Sequence, residues 1–270
     1  RDSLNKGAWN GKQLIPASWV EEMMKTHVES KGYGYQMWRC DNSNTFKADG
    51  AYGQYIIVMP NEDMVAVITQ SITGNAGDKE QHWLFKQLLP SISNSQLTKS
   101  KTAQFLSKRQ AKYSLPLAEG KSTTRLQSSI IGFDKKYQLA NNKLGWKSVS
   151  LTQKGKKLTV SIETENHGIV EIACGYQVWT DSQVPTTFPP NARGTTLGAF
   201  NGFTQPFTAS SSYGWNKENA LQANIHFVDW MSGIQLAFDF NTSKPTLKVK
   251  LNYEKKPFEI RLSPTIKQNI

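Results

Sequence analysis

Strict alternation of apolar and polar residues in the second half of the chain is the feature that most constrains its fold. In the segment Leu247-Lys248-Val249-Lys250-Leu251, apolar and charged side chains take turns without exception. This period of two is typical of a strand with one buried side and one side in solvent. Similar runs predict six strands: Ser148–Leu151, Lys157–Glu163, Gly168–Ala173, Ala220–Val228, Ile234–Phe240 and Thr246–Tyr253. Strands of this number, joined by short turns, predict a sandwich or a closed antiparallel barrel.

The first part of the chain shows a different pattern, in which helical and strand-like stretches follow one another. Pro16 and the apolar spacing after it predict a helix over about residues 16–26. A wide apolar face that includes Trp83 and Leu88 predicts a second helix over Asp78–Leu89, stopped by Pro90. The stretch between these helices contains three strand-like runs: Gly32–Arg39, Thr45–Met59 and Met64–Gln70.

These patterns divide the chain into residues 1–93, a linker at 94–112 and an all-β domain at 113–270. The linker is rich in Ser, Lys, Gln and Thr, which is typical of a linker or of a polar helix. The expected fold class is α+β: a helix, three antiparallel strands and a C-terminal helix, followed by the all-β domain. About ninety residues with one incomplete sheet bury little core, so residues 1–93 are expected to be part of a larger domain. Val184–Ala209 is a long loop rich in Pro, Gly and Thr, and a lid or contact surface is expected there.

The positive charge of the chain lies in its second half. The net charge is +11, yet residues 1–93 hold 9 basic and 10 acidic residues, whereas residues 94–270 hold 23 and 11. Such an excess is either a solvated surface or a face that attracts anionic lipid or an acidic cell-envelope polymer. No zinc-ligand spacing or RNP-type strand is present, so no nucleic-acid partner is expected.

Cysteine and histidine usage argues against a metal centre or a cofactor. The two cysteines, Cys40 and Cys174, are far apart in sequence, and both are expected to be buried thiols, although a pairing between them stays open. The four histidines, His27, His82, His167 and His226, follow no ligand spacing, so structural roles are expected and no metal site is predicted. Aromatic residues at Phe227, Trp230 and Phe238 are expected in the core of the all-β domain.

The stretch from Phe46 to Tyr55 is the one that carries chemistry. It places Gly50 and Gly53 three residues apart in a strand-like run. Glycine is costly inside a strand unless a ligand or another backbone must approach closely, or unless the strand bulges or bends. Both explanations stay open on this stretch alone.

The context of this stretch gives a family resemblance. A turn-and-helix passage, Leu4 to Val20, is followed by these motifs in order: Tyr33-Gly34-Tyr35-x-x-Trp38, Phe46-x-Ala48-x-Gly50-x-x-Gly53-Gln54, Val58-x-Pro60 and Met64-Val65-Ala66-Val67. This order resembles the C-terminal part of the serine hydrolases of the β-lactamase and penicillin-binding-protein superfamily. The resemblance covers residues 1–93.

The resemblance implies where an active site would lie. It aligns Ala48-Asp49-Gly50 with the third catalytic motif of the family, usually Lys-Thr/Ser-Gly, and gives the backbone N–H of Ala51 the role of oxyanion-hole donor beside Gly50. The implied substrate cleft comprises Ala48, Asp49, Tyr52, Gly53 and Gln54. Because Ala48 replaces the basic residue, the chain resembles the esterase, short-amide hydrolase and D-amino-acid peptidase branch more than true β-lactamases.

The catalytic nucleophile of that family is missing from the sequence. The single Ser-x-x-Lys, Ser3 to Lys6, is followed at once by Gly7 and the Asn10-Gly11 turn, so the long helix that such a motif opens cannot form. The Tyr-x-Asn/Ser motif is absent. The nucleophile is therefore expected on an N-terminal catalytic segment of the same polypeptide. Without it no acyl-enzyme forms, and this chain alone is predicted to be inactive.

The all-β domain loosely resembles the lipocalin-like barrel extensions of bacterial serine hydrolases in this superfamily. A periplasmic or secreted, cell-envelope location is expected from the resemblance alone, since Arg1–Gly7 show no apolar signal-peptide core that would indicate it directly. The rival hypothesis is a non-catalytic binding module whose basic β-domain contacts an anionic cell-envelope glycan or lipid. Homodimerisation through the exposed edge of the incomplete sheet is a further expectation.

Overall fold

The computed structural model describes residues 5–29, 32–40, 44–70, 77–93, 95, 100–123, 133–189, 205–241, 244–252 and 256–264. The chain divides into two compact units, Arg1–Leu97 and Thr98–Ile270. The expected linker at 94–112 is shared between them, and most of it is grouped with the second unit. Among the described residues, no helix combines the length and apolarity that a membrane span requires.

The first unit opens with a small hairpin. Strand β1 (Ala8–Trp9) pairs with β2 (Lys12–Gln13). Asn10 and Gly11 between them have φ values of +48° and +74°, so the predicted Asn-Gly turn is confirmed. Helix α1 (Ala17–Met24) follows and confirms the helix predicted at about residues 16–26.

Four short strands then form an antiparallel sheet. They are β3 (Trp38–Arg39), β4 (Phe46–Gly50), β5 (Gln54–Met59) and β6 (Met64–Ile68), in that order across the sheet. The prediction of three strands is wrong, because the run Thr45–Met59 folds back on itself as the β4–β5 hairpin.

A helical segment covers one face of this sheet. It consists of α2 (Gly77–Trp83), a π-helical stretch (Leu84–Leu88) and a final 3₁₀ turn (Leu89–Ser91), which corresponds to the helix predicted at Asp78–Leu89. Leu84 is buried against three residues of β5: Tyr55, Ile57 and Met59. The buried apolar face of this helical segment is narrower than predicted, since Trp83 is 57% exposed.

The second unit begins with a polar helix. Helix α3 (Lys101–Gln110) lies within the stretch expected to be a linker or a polar helix, and none of its residues is buried. The Ser100 hydroxyl accepts a hydrogen bond from the Ala103 N–H at 3.0 Å and so caps the helix.

Within the described residues, ten strands follow α3, and nine of them close a barrel. They are β7 (Lys136–Leu139), β8 (Trp146–Lys154), β9 (Lys157–Thr164), β10 (Gly168–Tyr176), β11 (Thr180–Val184), β12 (Phe207–Trp215), β13 (Leu221–Phe227), β14 (Gly233–Asp239), β15 (Thr246–Leu251) and β16 (Phe258–Pro264). The order is β10-β9-β8-β7-β16-β15-β14-β13-β12, with β11 added beside β12. The barrel is confirmed and the sandwich alternative is wrong.

The barrel is closed by a parallel pair, not by an antiparallel one. Gly175 of β10 lies opposite Ser212 of β12, and Tyr176 lies opposite Tyr213. All other strand pairs in the barrel are antiparallel. The expectation of a purely antiparallel barrel is therefore corrected at this one seam.

Apolar side chains fill the barrel interior, as the alternation predicts. Leu247, Val249 and Leu251 are buried, whereas Lys248 and Lys250 are exposed. Phe227 and Phe238 belong to the same core cluster, and Trp230 packs against it as expected. Small closed barrels are commonly filled in this way.

A short segment, which we call the strap (Ala118–Ser122), runs along β12. The Ala118 N–H donates to the Ser212 hydroxyl at 2.9 Å. Lys121 and Trp215 exchange two backbone hydrogen bonds of 2.9 and 2.8 Å. The strap therefore extends the hydrogen bonding of β12 at its C-terminal end.

Candidate functional site

The stretch singled out in the sequence lies beside a cleft of about 390 Å³ in the first unit. We call it the β4 cleft. Its lining residues come from β4, β5, the end of β6 and the segment before β3: Tyr33, Gln36, Trp38, Ala48, Asp49, Gly50, Gln54, Tyr55, Ile56, Val67, Ile68 and Thr69.

The structure brings only some of the expected site residues to this cleft. Ala48, Asp49, Gly50 and Gln54 line it. The other three, Ala51, Tyr52 and Gly53, form the turn between β4 and β5 and do not line the cleft. The expected strand-borne donor, Ala51, is thus the first residue after a strand.

Turn geometry accounts for one of the two glycines. Tyr52 and Gly53 have φ values of +66° and +81°, which glycine adopts without strain. The amide of Gln70 donates to the Gly53 carbonyl at 2.5 Å and ties the turn to the end of β6. The turn therefore gives a conformational reason for glycine at position 53, and the close approach of a substrate there stays a prediction.

The outer edge of β4 is open along the cleft. Cys40 donates a backbone hydrogen bond to Thr45 at 3.0 Å, and the last β3–β4 pair is Trp38–Lys47. Hydrogen-bonding direction alternates along an antiparallel strand, so the backbone groups of Lys47 and Asp49 also point towards the β3 side. Because β3 begins at Trp38, which lies opposite Lys47, the N–H and C=O of Asp49 lie beyond the paired part of the edge.

The two sides of β4 carry different chemistry. The Lys47 ammonium lies 2.9 Å from the Asp49 carboxylate and donates to Gln81 of α2 at 2.9 Å. Both side chains therefore point to the helix-covered face, whereas Ala48 points to the opposite face. The Lys47 ammonium therefore does not lie on the face that carries Ala48.

The face of the sheet that carries Ala48 is uncovered at apolar positions. Ile56 of β5 is 49% exposed and Val67 of β6 is 63% exposed, although the two lie opposite each other in the sheet. Both line the β4 cleft. Apolar residues paired in a sheet are normally buried by another element, so this face has the character of a docking surface.

The described lining of the β4 cleft carries hydroxyl groups but no basic side chain. Its hydroxyl groups belong to Tyr33, Tyr55 and Thr69, and its described lining includes neither Lys nor His to activate them. Ser3 lies outside the described residues. Within the described part of the chain, no cluster of His, Cys, Asp and Glu is suited to a metal ion.

A second cleft of about 470 Å³ adjoins the first and shares Tyr33 and Gln36 with it. We call it the aromatic cleft; it is lined by Trp19, Met23, Tyr33, Gly34, Tyr35 and Gln36. Sequence reasoning did not assign these residues to a site. The sequence feature that could have indicated this cleft is the density of aromatic residues in the Gly32–Arg39 stretch.

The cysteines do not form a site. No disulfide links Cys40 to Cys174. Cys174 is buried inside the barrel, and burial raises the pKa of its thiol to about 12. Cys40 is partly exposed, which corrects the expectation that both are buried.

Comparison with known proteins gives no assignment. A scan against protein-family models finds no match, and a search of curated proteins finds no significant one.

Proposed function

We propose that this chain is the C-terminal part of a β-lactamase-related serine hydrolase and supplies one wall of its active site, while the nucleophile lies on a preceding segment of the same polypeptide. The substrate bond would be an ester, an amide or a D-amino-acid peptide bond. The observation that carries the proposal is the outer edge of β4, where the described pairing with β3 stops at Lys47 while Ala48, Asp49 and Gly50 continue along the cleft.

The direction of the backbone supports a role in oxyanion binding. The backbone groups of Asp49 point to the β3 side, and we infer that the N–H of Ala51, two residues further along at the start of the turn, points to the same side. A backbone donor fixed at the end of a strand stabilises developing negative charge without reorganising, and loss of one such donor costs about 10²–10³ in kcat. Ala51 thus suits the role that the family resemblance gives it.

The uncovered face of the sheet supports a missing catalytic segment. Ile56 and Val67 stay exposed beside the cleft. A helical segment packed on this face would bury both residues and would bring its own side chains to the edge of β4. Its Ser-x-x-Lys motif would then supply the two groups that the described lining of the cleft lacks.

The test begins by sequencing the DNA upstream of the Arg1 codon. A longer chain that includes this upstream sequence is then expressed. We expect a helix-borne Ser-x-x-Lys there, and we expect the longer chain to hydrolyse a chromogenic ester. Ala51→Pro removes the backbone N–H and should lower kcat by about 10²–10³. Ala51→Gly keeps the N–H and serves as the matched control.

Two results would overturn the proposal. One is an upstream sequence that lacks any Ser-x-x-Lys. The other is equal turnover by the Ala51→Pro and Ala51→Gly forms of the longer chain. The 270-residue chain itself should show no turnover above buffer, and inhibitor-sensitive turnover lost in Ser3→Ala would show that the nucleophile lies within it.

A second candidate function rests on the β8–β9 hairpin of the barrel. Lys154 lies directly opposite Lys157, and both are exposed together with Lys156 in the turn. Like charges directly opposite each other destabilise a strand pair, so their presence favours a hairpin that meets an anion. The proposed partner is an anionic cell-envelope glycan or lipid, which agrees with the expected extracytoplasmic location.

Vesicle binding tests this second candidate. The chain should sediment with phosphatidylglycerol vesicles at low salt and not with phosphatidylcholine vesicles, and added salt should release it. Replacing Lys154, Lys156 and Lys157 with Gln should abolish sedimentation, whereas Lys248→Gln with Lys250→Gln should weaken it less. Equal effects of the two sets would show that vesicle binding depends on the overall positive charge and not on the hairpin.

A further inference from the structure

Three rings form a parallel stack at the rim of the aromatic cleft. The centroids of Trp19 and Tyr35 are 5.5 Å apart with an interplanar angle of 10°. His27 stacks against Tyr35 at 4.1 Å and 16°. Trp19 is 50% exposed and Tyr35 is 46% exposed, so a large aromatic surface stays in solvent at the Trp19 end.

The backbone fixes this stack in place. Gly34 lies so close to the end of α1 that a Cβ on it would overlap the carbonyl oxygens of Met23 and Lys25. The backbone N–H of His27 donates to the Tyr33 carbonyl at 2.8 Å. These contacts order the backbone that carries Tyr35 and His27, which lowers the entropic cost of binding.

The stack geometry selects a flat ligand. The rings of Trp19 and His27 are both nearly parallel to that of Tyr35, so the three rings present a platform and not a cage. A cage for a quaternary ammonium ion needs rings that face a common point from different directions. A platform suits a ring with one flat apolar face, and the C–H face of a pyranose has this character.

The polar groups around the platform suit an uncharged sugar. Glu21 and Glu22 outnumber Lys25 on this part of the surface, which disfavours an anionic ligand. The Gln36 side chain lines the cleft beside the rings and offers an amide to hydroxyl groups.

We propose that the aromatic cleft binds a pyranose ring of an uncharged saccharide on Trp19, with the saccharide chain continuing past Tyr33 and Gln36 towards the β4 cleft. This binding goes beyond the proposed function, because it needs no nucleophile. Where both proposals hold, the hydrolysed ester or amide would be carried by a saccharide.

The test uses the intact 270-residue chain and two soluble probes, the β-1,4-linked tetrasaccharides of N-acetylglucosamine and of glucose. We expect saturable binding of at least one by titration calorimetry, with a shift of the Trp19 indole N–H signal in NMR spectra. Trp19→Ala should raise Kd about tenfold, and Trp19→Phe should raise it less. Trp83→Ala is the matched control, because Trp83 is also exposed but lies outside the cleft.

Several outcomes would overturn the inference. They are absence of saturable binding of both tetrasaccharides, an equal loss in Trp83→Ala, or an unchanged Kd in Trp19→Ala. Failure of the hydrolase proposal is separate: a longer chain that binds saccharide through Trp19 but shows no Ala51-dependent turnover would refute that proposal and leave this one intact.

Discussion

Gly120 of the strap lies so close to Trp215 of β12 that a Cβ on Gly120 would overlap the Trp215 carbonyl oxygen. The φ of Gly120 is +126°, a value that favours glycine. The Tyr176 hydroxyl donates to the Gly120 carbonyl at 3.3 Å. Because Tyr176 also lies opposite Tyr213 in the parallel pair, this contact joins the strap to the seam of the barrel.

Replacing Gly120 with Ala should therefore destabilise the barrel through both the overlap and the backbone. We expect the free energy of unfolding to fall by about 3 kcal/mol or more. The matched control is Gly155→Ala in the β8–β9 turn, where φ is +58° but no atom lies within 4 Å of the added Cβ. This control should cost about 1–2 kcal/mol. Urea unfolding followed by circular dichroism measures both, and equal losses would contradict the steric role of Gly120.

Lys47 should act as a structural residue and not as the missing basic group of the catalytic motif. Its ammonium pairs with Asp49 and lies 5.4 Å from the centre of the Tyr55 ring. Lys47→Met keeps most of the stem and should cost about 1 kcal/mol in unfolding free energy. In the longer chain that we propose to be a hydrolase, kcat of Lys47→Met should stay close to that of Lys79→Met, an exposed control. A large and selective loss of kcat in Lys47→Met would show that the side chain reaches the substrate.

Sequence periodicity identified strands where one face is purely apolar. In β13 the buried residues Leu221, Ala223, Ile225 and Phe227 alternate with polar ones, and this strand was predicted. The neighbouring β12 was not predicted as a strand, because Ser210, Ser211 and Ser212 follow one another. Ser211 and Ser212 are nevertheless fully buried, since the Ser212 side is covered by the strap. Because these serines are polar, the alternation pattern does not indicate β12, although its C-terminal half is buried on both sides.

The sequence indicates where in the chain the candidate site lies, but it does not indicate which residues line the cleft. The unusual pattern of Gly50 and Gly53 located the hairpin, yet the positive φ of Tyr52 breaks the run there, and a tyrosine gives no signal for such a turn. Tyr33 and Gln36 reach the same cleft from another segment. Their position depends on tertiary contacts, which strand and helix periodicity do not encode.

Burial should keep the Cys174 thiol unreactive in the folded protein. Its pKa is raised to about 12 by burial, so it stays protonated where an ordinary cysteine forms a thiolate. With a thiol reagent near pH 8, the native chain should expose Cys40 alone, and both thiols should react in urea. Cys174→Ala should leave the native reaction unchanged, whereas Cys40→Ala should abolish it. Rapid native labelling of Cys174 would mean that the barrel opens readily.

The same shift predicts a loss of stability at high pH. The thiol of the unfolded chain ionises above about pH 9, whereas that of the folded chain stays protonated up to about pH 12. The unfolded state therefore binds fewer protons in this window, and unfolding becomes more favourable as the pH rises. The loss should be smaller in Cys174→Ala, as measured by urea unfolding at about pH 8 and about pH 10. An identical loss in the two proteins would exclude Cys174 as the cause.

His226 should make the barrel less stable in mild acid. Burial lowers the pKa of its imidazole from the ordinary value of 6.5, and its ring packs edge-to-face against Trp179 at 5.2 Å. As the pH falls below about 6.5, the unfolded chain takes up a proton at this position that the folded chain does not. The stability that the neutral imidazole contributes above pH 6.5 is therefore lost progressively on acidification.

Replacing His226 with Gln should remove this part of the acid sensitivity. Urea unfolding at about pH 7.5 and about pH 5 should show a smaller difference for His226→Gln than for the parent chain. The control is His82→Gln, in which an exposed histidine of α2 is changed and the pH difference should stay as in the parent. A parent-like difference in His226→Gln would assign the acid sensitivity to other groups, because the imidazole of His226 is then absent from both folded and unfolded states.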